Sequence, residues 1–186
     1  MVVAAHFEAA QDSGLIGPVI IVFPDGYENS WWADSFNSDK PAETNIVREL
    51  IPIVDALYRT IPDRQFRVIY GFSMGGFGAL KFITKFPDLF KTCVIHDGAM
   101  FLWRWFVLEY PVMAREIFNN DEGYFNKYTP WPYIARRDSL LRVNVSIRIA
   151  GDHAVTFAPR ATTTGLYFYK ITAGKFSQTR KAVLMK

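Results

Sequence analysis

Ser73 stands between two glycines, in Gly71-Phe72-Ser73-Met74-Gly75. The surrounding stretch, VIYGFSMGGFGALKFITKF, puts that serine after an apolar run and before residues with helical spacing. G-x-S-x-G in a strand–turn–helix setting is the pattern of a nucleophile elbow. Its serine backbone is strained, so the positions two away on either side are expected to be small, and both are glycine here. The turn would lift the hydroxyl off the sheet. It would also set the Met74 N–H at a helix start, where it can stabilise a developing oxyanion. The chemistry is acyl transfer through a covalent serine. The other reading of the stretch is an ordinary glycine-rich turn between a strand and a helix.

A serine hydroxyl needs a base to become a nucleophile, commonly an imidazole held by a carboxylate. The chain has three histidines. His6 lies in a helical segment and reads as a surface or packing residue. His96 ends an apolar run beside Asp97. It reads as a hydrogen-bonded strand-end residue, or as a group at the edge of the site. His153 directly follows Asp152, and neighbouring side chains diverge in extended chain, so the two would make only a makeshift base and acid. Asp152 reads equally well as a turn residue after a strand. The candidate catalytic set is therefore Ser73, Asp152 and His153, with the Met74 backbone as oxyanion donor. Trp31 and Trp32 are candidates for an aromatic wall on the substrate, with packing in a core or interface as the other reading. Glu28, Asp34 and Glu43 read as loop or cap residues as readily as functional ones. Glu43 stands near a helix start, where the dipole favours it. Scattered histidines and a single cysteine give no metal-ligand spacing, and GFSMGG lacks the lysine of a phosphate loop, so neither metal nor cofactor is expected. Cys93, inside KTCVI, reads as a buried structural thiol.

The elements that must position these residues follow from hydrophobic pattern. VIIVF (Val19 to Phe23), FRVIYG, KTCVIH and VSIRIAG are short, nearly all-apolar runs that suit parallel strands buried on both faces. Residues 2–12 read as the end of a helix. Ala42 to Arg59 has a stripe of Ile46, Leu50, Ile53, Val54 and Leu57, with Pro52 expected to kink it. Gly76 to Phe86 is the helix after the serine. Leu102 to Phe118 reads as a helix disturbed at Pro111, then a polar, aromatic loop runs to Pro132, and Arg136 to Leu141 is helical. Alternation of this kind predicts an α/β fold: a mainly parallel sheet flanked by helices, with sites at the C-terminal ends of the strands.

The last segment breaks that rhythm. GLYFYKITAGKFSQTRKAVLMK reads as a β-hairpin turning near Ala173-Gly174. From Val155 to Lys186 there are six basic residues and no acidic one, so a chain of net charge +3 is net −3 over its first 154 residues. Lysines spread along a strand pattern suit an edge strand better than a nucleic-acid surface. Two units are expected, an α/β domain over 1–154 and a hairpin tail over 155–186. Half of the 186 residues are hydrophobic and 16% are aromatic, enough for a core. No apolar run nears the ~20 residues that span a bilayer. The start, MVVAAHFEAAQDSG, does not read as a secretory signal.

PVIIVFPDGYENSWWADS, ETNIVRELIPIVDALYRTIPDRQFRVIYGFSMGGFGALKFITKFPDLFKTCVIHDGA and IFNNDEGYFNKYTPWPYI together resemble the putative-esterase family of α/β hydrolases. That family includes esterase D, feruloyl esterases and the mycolyltransferase antigens. The resemblance runs over about residues 5–153, and GFSMGG is its most specific part. It implies a partial α/β-hydrolase fold and carboxylic-ester hydrolysis, with Ser73 as nucleophile and Met74 as one oxyanion donor. It also implies that the loop from Tyr27 to Asp39 lines the pocket. The sequence departs from the family in three places. Strands that precede this region in the family, and the second oxyanion donor they carry, have no counterpart before Val19. Gly151-Asp152-His153-Ala154 has alanine where the family has its acid. No histidine follows His153.

The tail resembles the end of the C-terminal sorting domain of proteins exported by the type IX secretion system of Bacteroidota. That resemblance implies a secreted or surface location. The expected function is a serine esterase on a small-molecule or polysaccharide-linked acyl or feruloyl ester. The alternative is an esterase-like remnant that binds without turnover. Neither nucleic acid nor a membrane span is expected. Self-association through an uncovered sheet edge is expected unless the hairpin covers it.

Overall fold

The computed structural model describes residues 2–135, 146–150, 165–173 and 176–184. Helix α1 (Val2–Asp12) leads into a long irregular stretch. A composite helix follows, made of α2 (Ala42–Thr44), a π-helical segment over Asn45–Leu50, and α3 (Ile51–Leu57). A 3₁₀ turn at Arg64–Phe66 precedes β1 (Val68–Phe72), and α4 (Met74–Lys85) leads to β2 (Thr92–His96). Four helices come next: α5 (Trp103–Glu109), α6 (Pro111–Glu116), α7 (Glu122–Lys127) and α8 (Trp131–Ala135). Strands β3 (Ser146–Ala150), β4 (Gly165–Ala173) and β5 (Phe176–Leu184) complete the order.

The strands form one sheet in the order β1-β2-β3-β4-β5. β1, β2 and β3 are parallel and in register, with Gly71 opposite Ile95 and Ile95 opposite Ile149. β3 meets β4 in parallel at Ala150 and Thr172, and β4 pairs with β5 as an antiparallel hairpin. The hairpin therefore extends the sheet on the β3 side, away from the β1 edge.

Helix α4 crosses from β1 to β2 and buries its apolar side on the sheet. Leu80, Phe82 and Ile83 pack with Phe90, Cys93 and Ile95, and Ile46 of the π segment joins them. A second, aromatic cluster lies toward the strand ends: Trp31, Phe77, Phe106, Phe118 and Phe125. On the sheet face away from α4, Val68, Tyr70 and Phe72 remain exposed.

The structure differs from expectation at several elements. Val19 to Phe23 is not a strand, and Val19, Ile20, Val22 and Phe23 are exposed. An apolar run becomes a strand only where a ladder partner stands beside it, and among the described residues β1 has none on its outer side. Pro52 interrupts the regular α-helical ladder of its helix. It cannot donate to the carbonyl four residues back, and the chain widens to π-helical register just before it, with the Ile51 N–H on the Ile46 carbonyl. Of the predicted stripe only Ile46 is buried, while Ile53 and Leu57 are exposed. The region read as a loop to Pro132 contains α7 and most of the approach to α8. Asp121 caps α7 by accepting from the Tyr124 N–H at 2.8 Å, a signal present in the sequence as Asp-Glu-Gly-Tyr. The helix read over residues 136–141 lies outside the described residues.

Candidate active site

The corner at Ser73 is built by glycine. β1 ends at Phe72, Ser73 takes φ 52° and ψ −116°, and α4 begins at Met74. A non-glycine residue held at positive φ is strained, and strain of this kind persists only where the surroundings over-determine it. Here the clamps are visible. The Ser73 N–H donates to the His96 carbonyl at 3.1 Å, and the Ser73 carbonyl accepts from the Phe77 and Ala99 N–H groups at 3.2 and 3.0 Å. A Cβ added at Gly71 would lie 1.9 Å from the Gly75 carbonyl oxygen, so no side chain fits there. At Gly75 an added Cβ would meet nothing within 4 Å. The second close approach is instead at Gly76, where a Cβ would lie 2.8 Å from Gly98 Cα and 3.0 Å from Ile95 Cγ2. The demand for small residues on both flanks of the serine therefore holds at 71 and moves by one residue on the other side. Ser73, Met74 and Gly75 are half-buried. As the first residue of a twelve-residue helix, Met74 has an N–H with no acceptor four residues back.

Asp152 and His153 lie outside the described residues. His96 closes β2 opposite Phe72, and its exposed ring packs edge-on against Phe72 at 5.4 Å. Its Nδ1 is 3.4 Å from the Tyr70 hydroxyl. That is the hydrogen-bonded strand-end arrangement, one of the two readings the sequence allowed. Cys93 is buried, and burial pushes its thiol up to about 12, which keeps it un-ionised and unreactive. Among the described residues no cluster of histidine, cysteine and carboxylate could hold a metal. No described helix is long and apolar enough to cross a membrane.

The two tryptophans sit differently. Trp31 is 4% exposed, with its ring edge-on to Phe77, Phe101 and Phe106. Trp32 is half-buried, and its ring lies in a slot that a Cβ on either Gly26 or Gly78 would fill. The loop carrying them reaches α4 about one turn from Ser73, through Phe77 and Gly78.

Sequence reading missed one feature. Lys81, between Leu80 and Phe82 on α4, is fully buried. Its ammonium donates to the Trp32 carbonyl and pairs with Glu43 Oε2 at 2.9 Å. The same carboxylate holds Lys85 through Oε1 at 2.5 Å. A lysine inside an otherwise apolar run is the signal that could have found it. Glu43 is in the first turn of α2, where it was expected, but it is turned inward.

Burial holds the Lys81 ammonium down at about 8, against the opposing pull of Glu43. Unfolded, the same group keeps its proton to about 10.5. Between those values the unfolded chain binds more protons, so stability rises with pH, by up to about 1.4 kcal/mol per unit. Below pH 8 both states carry the proton and the contribution is constant. Urea unfolding of the wild type and Lys81→Met from pH 7 to 10 should show the wild type gaining on the variant only above pH 8. Parallel curves would show that Lys81 titrates normally.

Two curated proteins of Mycobacterium tuberculosis, each called an esterase, are 39% identical to this chain over 94 residues. The match covers 49% of this chain and 21% of theirs, so the chain spans about a fifth of those relatives' length. A solved ferulic acid esterase superposes with a TM-score of 0.58 at 22% identity, covering 78% of this chain and 55% of that one. A fluorophosphonate-binding serine hydrolase of Staphylococcus aureus superposes with a TM-score of 0.57 at 18% identity, covering 67% and 49%. At such identities the likeness is one of fold, and the fold is that of the α/β hydrolases. Over residues 3–164, most of its length, the sequence matches the family described as Putative esterase, and the chain belongs to that family.

Proposed function

We propose that this chain is a serine carboxylic-ester hydrolase that works through an acyl-enzyme on Ser73. The observation that carries the reading is the corner itself: a half-buried serine at φ 52°, between a parallel strand and the first residue of a helix. Ser73 Oγ attacks the ester carbonyl carbon while a base takes its proton. The carbonyl oxygen becomes an oxyanion and accepts from the Met74 N–H. Collapse breaks the bond to the alkoxy oxygen, which leaves as the alcohol after regaining a proton. Water then attacks the acyl-serine and returns the enzyme.

His153 is assigned as a makeshift base and Asp152 as the remaining acid, on their place in the sequence after β3, whose C-terminal end lies on the same sheet edge as Ser73. The substrate is an acyl or feruloyl ester, and Trp32 forms part of the wall that meets its acyl group. Support comes from the half-buried Trp32 ring against Gly78 of α4, about one turn from Ser73, and from the fold shared with a ferulic acid esterase.

The test is a fluorophosphonate probe on the purified chain, with the modified peptide mapped by mass spectrometry. Phosphonylation confined to the Ser73 peptide is expected. A wild-type chain that takes up no probe would overturn the reading and leave a binding module in its place.

A further inference from the structure

The loop from Tyr27 to Pro41 holds a shape its own sequence disfavours. Tyr27, Asn29, Trp31 and Trp32 all take φ between 55° and 59°. For side chains as bulky as tryptophan this left-handed conformation costs about 1 kcal/mol or more per residue. Something outside the loop must hold it. Trp31 is held by the aromatic cluster. Trp32 is not held through its indole N–H, which is buried and finds no hydrogen-bond partner among the described residues. Its ring is held by shape, between Gly26 and Gly78, and its backbone carbonyl is held by the Lys81 ammonium.

Lys81 is an expensive choice for that task. Burying an ammonium costs several kcal/mol unless a well-placed anion compensates it. Glu43 supplies the anion from the element that immediately follows the loop, and its second oxygen reaches Lys85 one turn further along α4. Lys85 also donates to the Lys127 carbonyl at the end of α7. The carboxylate and two ammoniums thus tie the loop at Trp32, and the element that follows the loop at Glu43, to the helix that starts at Ser73. A buried ion pair is seldom the cheapest route to stability, since apolar residues of similar volume do as well or better. What it adds is a fixed geometry.

We propose that Glu43 and Lys81 form a latch that fixes the tryptophan loop against the elbow helix, and that they are positioning residues for the wall this loop presents beside Ser73. The proposal rests on the reading of Ser73 as nucleophile only in its last clause, because the latch itself is a statement about the loop.

The experiment uses Lys81→Met and the double variant Glu43→Leu with Lys81→Met, read in two ways. Hydrogen exchange by mass spectrometry follows the loop amides, including Trp32, Ala33 and Ser35, which donate within the loop at 3.0, 3.1 and 3.0 Å. Exchange there is expected to rise at least ~10-fold in both variants, about 1.4 kcal/mol by the usual conversion, with the β1–β2 ladder unchanged. The double variant, which leaves no unpaired charge at position 43, is expected to keep a urea midpoint near wild type. Ester kinetics supply the second readout. KM for a bulky aromatic ester should rise about fivefold or more, while kcat on p-nitrophenyl acetate stays within about threefold, the split expected when binding alone is lost. Loop exchange within twofold of wild type in both variants overturns the latch. A loosened loop with unchanged KM overturns the positioning role and leaves Ser73 untouched. If the wild type hydrolyses no ester, the Ser73 reading fails, and the exchange data still decide whether the latch exists.

Discussion

Ser73→Ala is expected to lower kcat on a simple ester such as p-nitrophenyl acetate by at least ~10³-fold, with little change in KM. The alanine has no nucleophile to acylate, while the groups that bind the ester remain. The variant should also fold as the wild type does. Removing one hydroxyl from a half-buried position leaves the backbone clamps from His96, Phe77 and Ala99 in place, since all three act on Ser73 main-chain atoms. Melting temperatures within about 2 °C of one another are therefore expected, and a small hydroxyl change of this kind usually moves stability by less than ~0.5 kcal/mol. Steady-state kinetics with a thermal melt on the same samples separates loss of chemistry from loss of fold. Residual activity within tenfold of wild type would show that the hydrolysis comes from another group.

Gly71→Ala is expected to be the most damaging single substitution at the corner for stability. Its Cβ would stand 1.9 Å from the Gly75 carbonyl oxygen and 2.1 Å from the carbonyl carbon, both backbone atoms that no rotamer can move aside. Relief requires shifting the first turn of α4 away from β1 while Gly71 stays in register with Ile95. A loss of about 4 kcal/mol is expected for such backbone overpacking, against a total of about 5–15 kcal/mol for a domain. At this chain length that is a drop of about 10 °C in Tm. Gly75→Ala provides the contrast. Its added methyl meets open space, and alanine is the better helix former by about 1 kcal/mol. It is expected to be neutral or slightly stabilising. Paired melts of the two variants decide the matter, and equal losses at 71 and 75 would show that the corner is not packed as described.

Much of this architecture is legible in residue patterns because local physics dominates there. β1, β2 and β3 are short, nearly all-apolar runs that pair in parallel, and such runs declare themselves without knowledge of the partner, although the expected burial on both faces fails at β1, where Val68, Tyr70 and Phe72 are exposed. Pro111 separates α5 from α6 because a proline cannot continue the helix before it. The corner at Ser73 follows from a serine flanked by glycines between an apolar run and a helical pattern. VIIVF has the same apolar character as the true strands, yet among the described residues it pairs with no strand, and Val19, Ile20, Val22 and Phe23 are exposed. Composition reports how apolar a segment is and says nothing of whether a neighbour's hydrogen-bonding edge stands beside it.

What the sequence by itself determined was the strand-to-helix corner at Ser73, the parallel strands on either side of its helix, and membership of an esterase family. What only the tertiary structure decided was the second glycine of that corner, Gly76 in place of Gly75, and the inward turn of Glu43 onto Lys81. Both depend on atoms far apart in sequence, Gly98 and Ile95 in the first case and a lysine 38 positions away in the second. A local pattern cannot encode such distances. Chain folding brings those atoms within contact, and close packing then decides which side chains the space allows.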